Sequence, residues 1–210
     1  FFLWWMLPLR NVFLADLGQT PFFLLTGIMV YAISRKLGVS QKFAFYATLL
    51  CLLVPNFFRQ LQIAYVDIMV AGLFLAGVNF LLLSARSYSL PHVGIYALSV
   101  GLLLGTKIVA LPYSALLLLP FVLLGLRTCG RAWRMCIALL LVLSLGGFSY
   151  IRNYAYTHNP LFPMQLKLWG TLLFKGVIDR ASYGAHFCSK DYGLGKMLFD
   201  EGLGAQTVLF

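Results

Sequence analysis

IAYVDIMVAGLFLAGVNFLLL, Ile63 to Leu83, carries one ionisable residue, Asp67, near its start. At ~1.5 Å per residue such a run makes a helix of about 31 Å, which matches the ~30 Å hydrocarbon layer of a bilayer. Five more apolar stretches flank it, at approximately 18–34, 43–58, 92–105, 108–126 and 133–150. The stretch at 92–105 is short by itself. Fused to 108–126 it would give ~52 Å of helix, too long for one crossing. Gly105-Thr106-Lys107 is therefore expected to be a turn, with Pro112 bending the helix that follows. The fold class is all-α: a polytopic transmembrane bundle of about six spans over 18–150. Residues 1–17 are expected to be interfacial or to end a preceding span, and 151–210 to form a small polar extracytoplasmic segment.

Composition agrees with this reading. The chain is 61% hydrophobic and 10% charged, against roughly a quarter charged in soluble domains, so water alone could not solvate its surface. Its net charge of +10 would suggest nucleic acid in a soluble protein. Here the cations follow topology and lipid head groups, and no nucleic-acid partner is expected. Four cysteines lie far apart without C-x-x-C, so neither a disulfide framework nor a zinc site is indicated. The start at Phe1 lacks a basic, cleavable leader, and an internal fragment of a longer membrane protein is expected.

Short-loop cations set the orientation. Arg35, Lys36, Lys42, Arg86, Arg127, Arg131 and Arg134 occupy alternate loops, against Arg59 and Lys107 in the others. The richer set belongs in the cytoplasm. Arg10, Asp16, Arg59, Asp67, Lys107, Arg152, Asn153 and His158 then all map to the outer face. Ionisable groups at that level usually pair, face a wet cavity or bind something. Asp67 has two readings, an ion pair with Arg59 or Lys107, or a carboxylate in an outward-facing cavity. Lys107 either snorkels to the interface or meets a phosphate, with Arg59 and Arg152 completing a cationic pocket.

After the sixth stretch, Asn159-Pro160 is a turn signal that ends the helix and lays the chain along the surface. Glycines from Gly170 to Gly204 argue for loops and short helices beyond it. Asp191-Tyr192-Gly193-Leu194-Gly195-Lys196 fails as a phosphate loop because Met197 stands where Ser or Thr is required. The acidic pair Asp200-Glu201 belongs on a solvated face.

Taken in order, Ser34-Arg35-Lys36-Leu37-Gly38-Val39-Ser40, Tyr65-Val66-Asp67, Gly101 to Lys107, Arg152-Asn153-Tyr154 and Asn159-Pro160-Leu161-Phe162-Pro163 form a series. That series resembles bacterial membrane glycosyltransferases of the GT-C superfamily, including the dolichyl-phosphate-mannose protein mannosyltransferase-like and aminoarabinose-transferase-like proteins. The resemblance covers about residues 10–180. It implies a bacterial inner membrane, a polyprenyl-phosphate sugar donor, and a glycan, lipid or protein acceptor met on the outer face. Lys107, Arg59 and Arg152 would hold the lipid phosphate, while Tyr65, Asn153 and His158 would position substrate. Such enzymes take their main carboxylate from an acidic external loop that would lie upstream of this chain, which leaves Asp67 and Asp16 as its candidates. No cofactor follows with certainty. A divalent metal serves only some branches, and no metal ligands are assigned. Two other readings remain open, a lipid or glycolipid transporter and a non-catalytic subunit of an envelope-glycan assembly.

Overall fold

The structure, a computed structural model, describes residues 16–61, 65–127, 132–168 and 171–178. The stretch 1–15 with Arg10, the phosphate-loop-like segment at 191–197 and the Asp200-Glu201 pair lie outside the described residues, as does the side chain of Asp16.

Eight α-helices are described: α1 (Thr20–Lys36), α2 (Gln41–Leu52), α3 (Pro55–Leu61), α4 (Asp67–Arg86), α5 (Leu90–Thr106), α6 (Ala110–Arg127), α7 (Ala132–Gly146) and α8 (Phe148–Thr157). A 3-10 turn, Asp16–Gln19, leads into α1. Among the described residues the fold is helical apart from a small hairpin, β1 (Leu166–Leu168) with β2 (Thr171–Phe174). Three helical runs among the described residues, Leu17–Lys36, α4 and α6, are long and apolar enough to cross a membrane, and the number rises to five if each bent pair counts as one span.

Those bends are where the sequence reading needs correction. The stretch 43–58 is not one helix: α2 and α3 meet at 59°. Pro55 opens α3, a position where its missing N–H removes no helical hydrogen bond. The stretch 133–150 likewise divides into α7 and α8, again at 59°, with Gly146 and Gly147 at the break. The chain continues as helix to Thr157 and stops just before Asn159-Pro160, where the turn signal placed the break. Pro112 sits in the first turn of α6, where it costs nothing, and the proline inside that helix is Pro120. The sequence reading did not foresee this hairpin, and of the glycines from Gly170 to Gly204 that suggested loops and short helices, Gly176 alone lies among the described residues. Its strands pair Leu168 with Thr171 and Leu166 with Phe174, and the alternation in Leu-Lys-Leu supports extended chain.

The expected turn at 105–107 is present. α5 stops at Thr106 and α6 begins at Ala110, with Ala110 N–H donating to Lys107 O at 2.9 Å. The shortness of α5 has a physical reason. It is the central helix, packed by α4, α6 and α7, and Val93, Tyr96, Ala97, Val100 and Leu103 are buried along it. Tyr96 stacks on Phe121 with ring centres 4.3 Å apart, and its hydroxyl donates to Leu117 O of α6 at 2.8 Å.

Close approach of α5 and α7 depends on Gly146. A Cβ there would lie 2.5 Å from Gly101 O and 2.7 Å from Leu104 Cβ. Gly146→Val should therefore push the two helices apart and cost ~1–3 kcal/mol. A thermal unfolding midpoint in detergent that matches the wild type would refute this packing account.

At one end of α4, Lys36 donates to Asn79, and Arg86 donates to Lys36 O at 3.3 Å. The chain reverses after α1 at Gly38, whose φ of +89° suits glycine. Arg134 donates to Tyr88 O at the same level. The opposite end of α4 carries Asp67.

Candidate functional site

Asp67 is the first residue of α4, where the helix dipole favours a carboxylate. Its side chain does not cap the helix. That service comes from Gln19, fully buried, whose Oε1 accepts from Ile68 N–H at 3.0 Å while its Nε2 donates to Gln60 O at 2.8 Å. One amide thus ties the entry of α1, the end of α3 and the start of α4, and leaves Asp67 free to face outward. Sequence reading missed Gln19, because an amide in a polar stretch announces nothing about what it will span.

Lys107 follows α5 in extended conformation, φ −161° and ψ 147°. Its Nζ donates to Asp67 Oδ1 at 3.0 Å, with the two side chains 48% and 43% exposed. Of the partners the sequence left open for Asp67, the structure selects Lys107. An exposed pair is worth only about 0–1 kcal/mol, so this contact contributes little to holding the fold.

Two clefts meet at Lys107. The first, of about 350 Å³, opens between α4 and α6, with Asp67 and Lys107 at its mouth and Val70, Phe74, Ala110 and Tyr113 among its walls. Phe74 and Tyr113 meet edge to face there, 5.8 Å between ring centres. The second, also about 350 Å³, runs from Thr106 and Lys107 across to Ser149, Arg152, Asn153 and Phe162. The first is thus a mostly apolar groove with a charged lip, and the second is a polar bowl with two cations. A third cleft, of about 360 Å³, reaches Gly105 and Thr106 from between α1 and α4, and Phe22, Met69 and Leu73 make it apolar.

The polar bowl owes its shape to α8 and the turn after it. Tyr150 donates to Leu104 O at 3.2 Å and fastens α8 to the end of α5. Asn153 Nδ2 donates to Phe162 O at 3.2 Å, which binds helix to turn. His158, at φ 53°, ends α8 in the left-handed region. Asn159, only 1% exposed, accepts from Leu161 N–H at 2.9 Å and donates to Met164 O at 2.8 Å and Lys175 O at 3.0 Å. The residue read as a turn signal is therefore also the knot that joins the turn to the hairpin.

Of the candidates, Asp67, Lys107, Arg152 and Asn153 line this pair of clefts. Arg59, in the last turn of α3, and Tyr65 are exposed and line none of the three clefts. His158 is exposed as well and meets Tyr154 edge to face at 6.1 Å. Tyr113 and Ser149 are wall residues that no sequence motif announced, whereas Thr106 and Phe162 stand inside quoted motifs without having been named as site residues. Among the described residues no cluster of His, Cys, Asp and Glu has the geometry to hold a metal ion. Comparison with protein-family models, curated proteins and solved structures gives no match.

The Asn159 knot is open to direct test. Asn159→Ala should leave α1 to α7 intact, remove three hydrogen bonds and speed amide hydrogen exchange across 159–178 by more than about tenfold. Exchange at the wild-type rate would show that the turn holds itself without the side chain.

Proposed function

We propose that this chain forms the lipid-phosphate side of a membrane glycosyltransferase, which moves a sugar from a polyprenyl-phosphate donor to an acceptor on the outer face of a bacterial inner membrane. The observation that carries the reading is Lys107, placed where an apolar groove and a bowl containing Arg152 meet. A polyprenyl-phosphate sugar has that form: an apolar tail, an anionic diester and a polar sugar. Two cations at the bowl suit the diester, Arg by its planar fork and Lys as a compact charge. Val70, Phe74, Ala110 and Tyr113 offer an isoprenoid chain an apolar wall.

The chemistry is a displacement at the anomeric carbon. The acceptor oxygen forms a bond to C1 as the bond from C1 to the phosphate oxygen breaks, and the lipid phosphate leaves with both electrons. Lys107 and Arg152 stabilise the charge that gathers on it. A carboxylate takes the acceptor proton. Within the described part of the chain Asp67 is the one placed at the lip of a cleft. Arg59, Tyr65 and His158 have no place in this scheme. The structural ion-pair role of Asp67 and its chemical role are compatible, because a weak exposed pair can open.

The membrane arrangement of this reading is six spans with the segment after α8 outside. It is supported by the excess of cations at the far end of α4, where Arg86, Lys36 and Arg134 gather. In a cysteine-free background, Thr171→Cys in sealed spheroplasts should react with a membrane-impermeant maleimide, whereas Arg127→Cys should react only after lysis. The reverse pattern would invert the topology and remove the outer-face chemistry.

In the intact protein, Lys107→Ala and Arg152→Ala should each lower sugar transfer from a polyprenyl-phosphate donor by about tenfold or more, as expected for loss of a charge-assisted contact to substrate. Transfer at the wild-type rate by Lys107→Ala would remove Lys107 from the site. Passage of labelled glycolipid across vesicles without cleavage would replace transfer by transport.

A further inference from the structure

Lys107 is a wall residue of both clefts, and its ammonium meets Asp67 on the side of the apolar groove. Arg152, the other cation of the bowl, has as its described polar contact a long one, to Asn153 Oδ1 at 3.5 Å. We infer that the Asp67–Lys107 pair is a latch: a phosphoryl anion entering the bowl draws Lys107 off Asp67, and the released carboxylate becomes available to an acceptor hydroxyl or amine beside it. The inference rests on the proposed role of the bowl as a phosphate site.

The argument is one of competition. A single ammonium cannot give its full attraction to a carboxylate in one cleft and a phosphate in the other. With both side chains nearly half exposed, the existing pair is weak. The donor's phosphodiester brings one negative charge, as Asp67 does, but Arg152 adds a second cation to hold it, and a monoester such as farnesyl phosphate brings up to two charges. The anion therefore has the advantage over Asp67. Lys107 also has room to turn, since it follows α5 in extended chain and its side chain belongs to no helix face. Reciprocity follows: an acceptor group that pairs with Asp67 frees Lys107 and strengthens anion binding by the same factor. The two substrates would then bind cooperatively, and the carboxylate would stay masked until the phosphate is in place.

Chemical labelling of the two side chains decides it. The intact protein in dodecyl maltoside is treated with a carboxylate-activating isoxazolium reagent and a soluble trapping amine, or with an amine-acylating reagent, with and without farnesyl phosphate. Peptide mass spectrometry reads both positions. Farnesyl phosphate should raise amine capture at Asp67 by about two- to fivefold, the span expected for release from an exposed pair, and should lower acylation of Lys107. In Lys107→Gln, capture at Asp67 should start at the raised level and ignore the phosphate.

Protection of Lys107 with unchanged or reduced capture at Asp67 overturns the latch and leaves the phosphate site standing. No change at either residue overturns both. Inorganic phosphate in a parallel sample separates the sources. The same response assigns the latch to the phosphoryl group alone, and a response only to farnesyl phosphate assigns it to the lipid-borne form. Either result supports the latch.

Discussion

A backbone N–H or C=O without a partner costs several kcal/mol inside hydrocarbon, and this cost decides where irregular chain can exist in the molecule. Among the described residues, three departures from helix near Asp67, Lys107 and Arg152 are covered by side chains. Gln19 serves the backbone between α3 and α4, through Gln60 O and Ile68 N–H. Tyr150 reaches Leu104 O at the end of α5. Asn159 meets two carbonyls and one N–H beyond α8. These three residues bracket Asp67, Lys107 and Arg152. The opposite end has irregular chain as well, where Arg86 meets Lys36 O and Arg134 meets Tyr88 O; what sets this end apart is that Asp67, Lys107 and Arg152 line clefts there.

Packing of the core serves the same end. α5 is surrounded by α4, α6 and α7, so its 17 residues need not match the thickness of a bilayer. A central helix that stops early lets the chain turn at Lys107 between its neighbours. Gly101 and Gly146 let α7 approach closely enough to bring α8 over that turn. Had either position carried a large side chain, Arg152 would stand away from Lys107 and the bowl would open into a surface.

Much of the arrangement was legible in the sequence. The positions of α4 and of the turn at 105–107 followed from apolar run length, a quantity the bilayer fixes directly. Asp67, Lys107, Arg152 and Asn153 stood out because ionisable or amide groups at the ends of apolar runs are costly without a purpose. The bends escaped notice because hydropathy has no direction. A window average reads Pro55 and the Gly146-Gly147 pair as small perturbations, while the backbone treats them as breaks of 59°. Arg59, Tyr65 and His158 shared a level with the site without sharing its walls. Depth along the membrane normal can be read from a sequence, but the angle around it cannot. Tyr113 and Ser149 were invisible for the same reason, since only tertiary packing turns them toward a cleft.

The weakness of the Asp67–Lys107 contact is therefore the informative property of the site. A pair buried between helices would have to overcome a large desolvation cost and would then resist exchange. At 43% and 48% exposure the two groups keep much of their hydration, so separating them costs little. Helix α4 adds a further contribution. Its N-terminus favours a carboxylate at Asp67 whether or not Lys107 is present. Departure of the lysine thus leaves a charged, oriented oxygen in place of a stranded one, and a site built this way can exchange its partners without disturbing the helices that carry it.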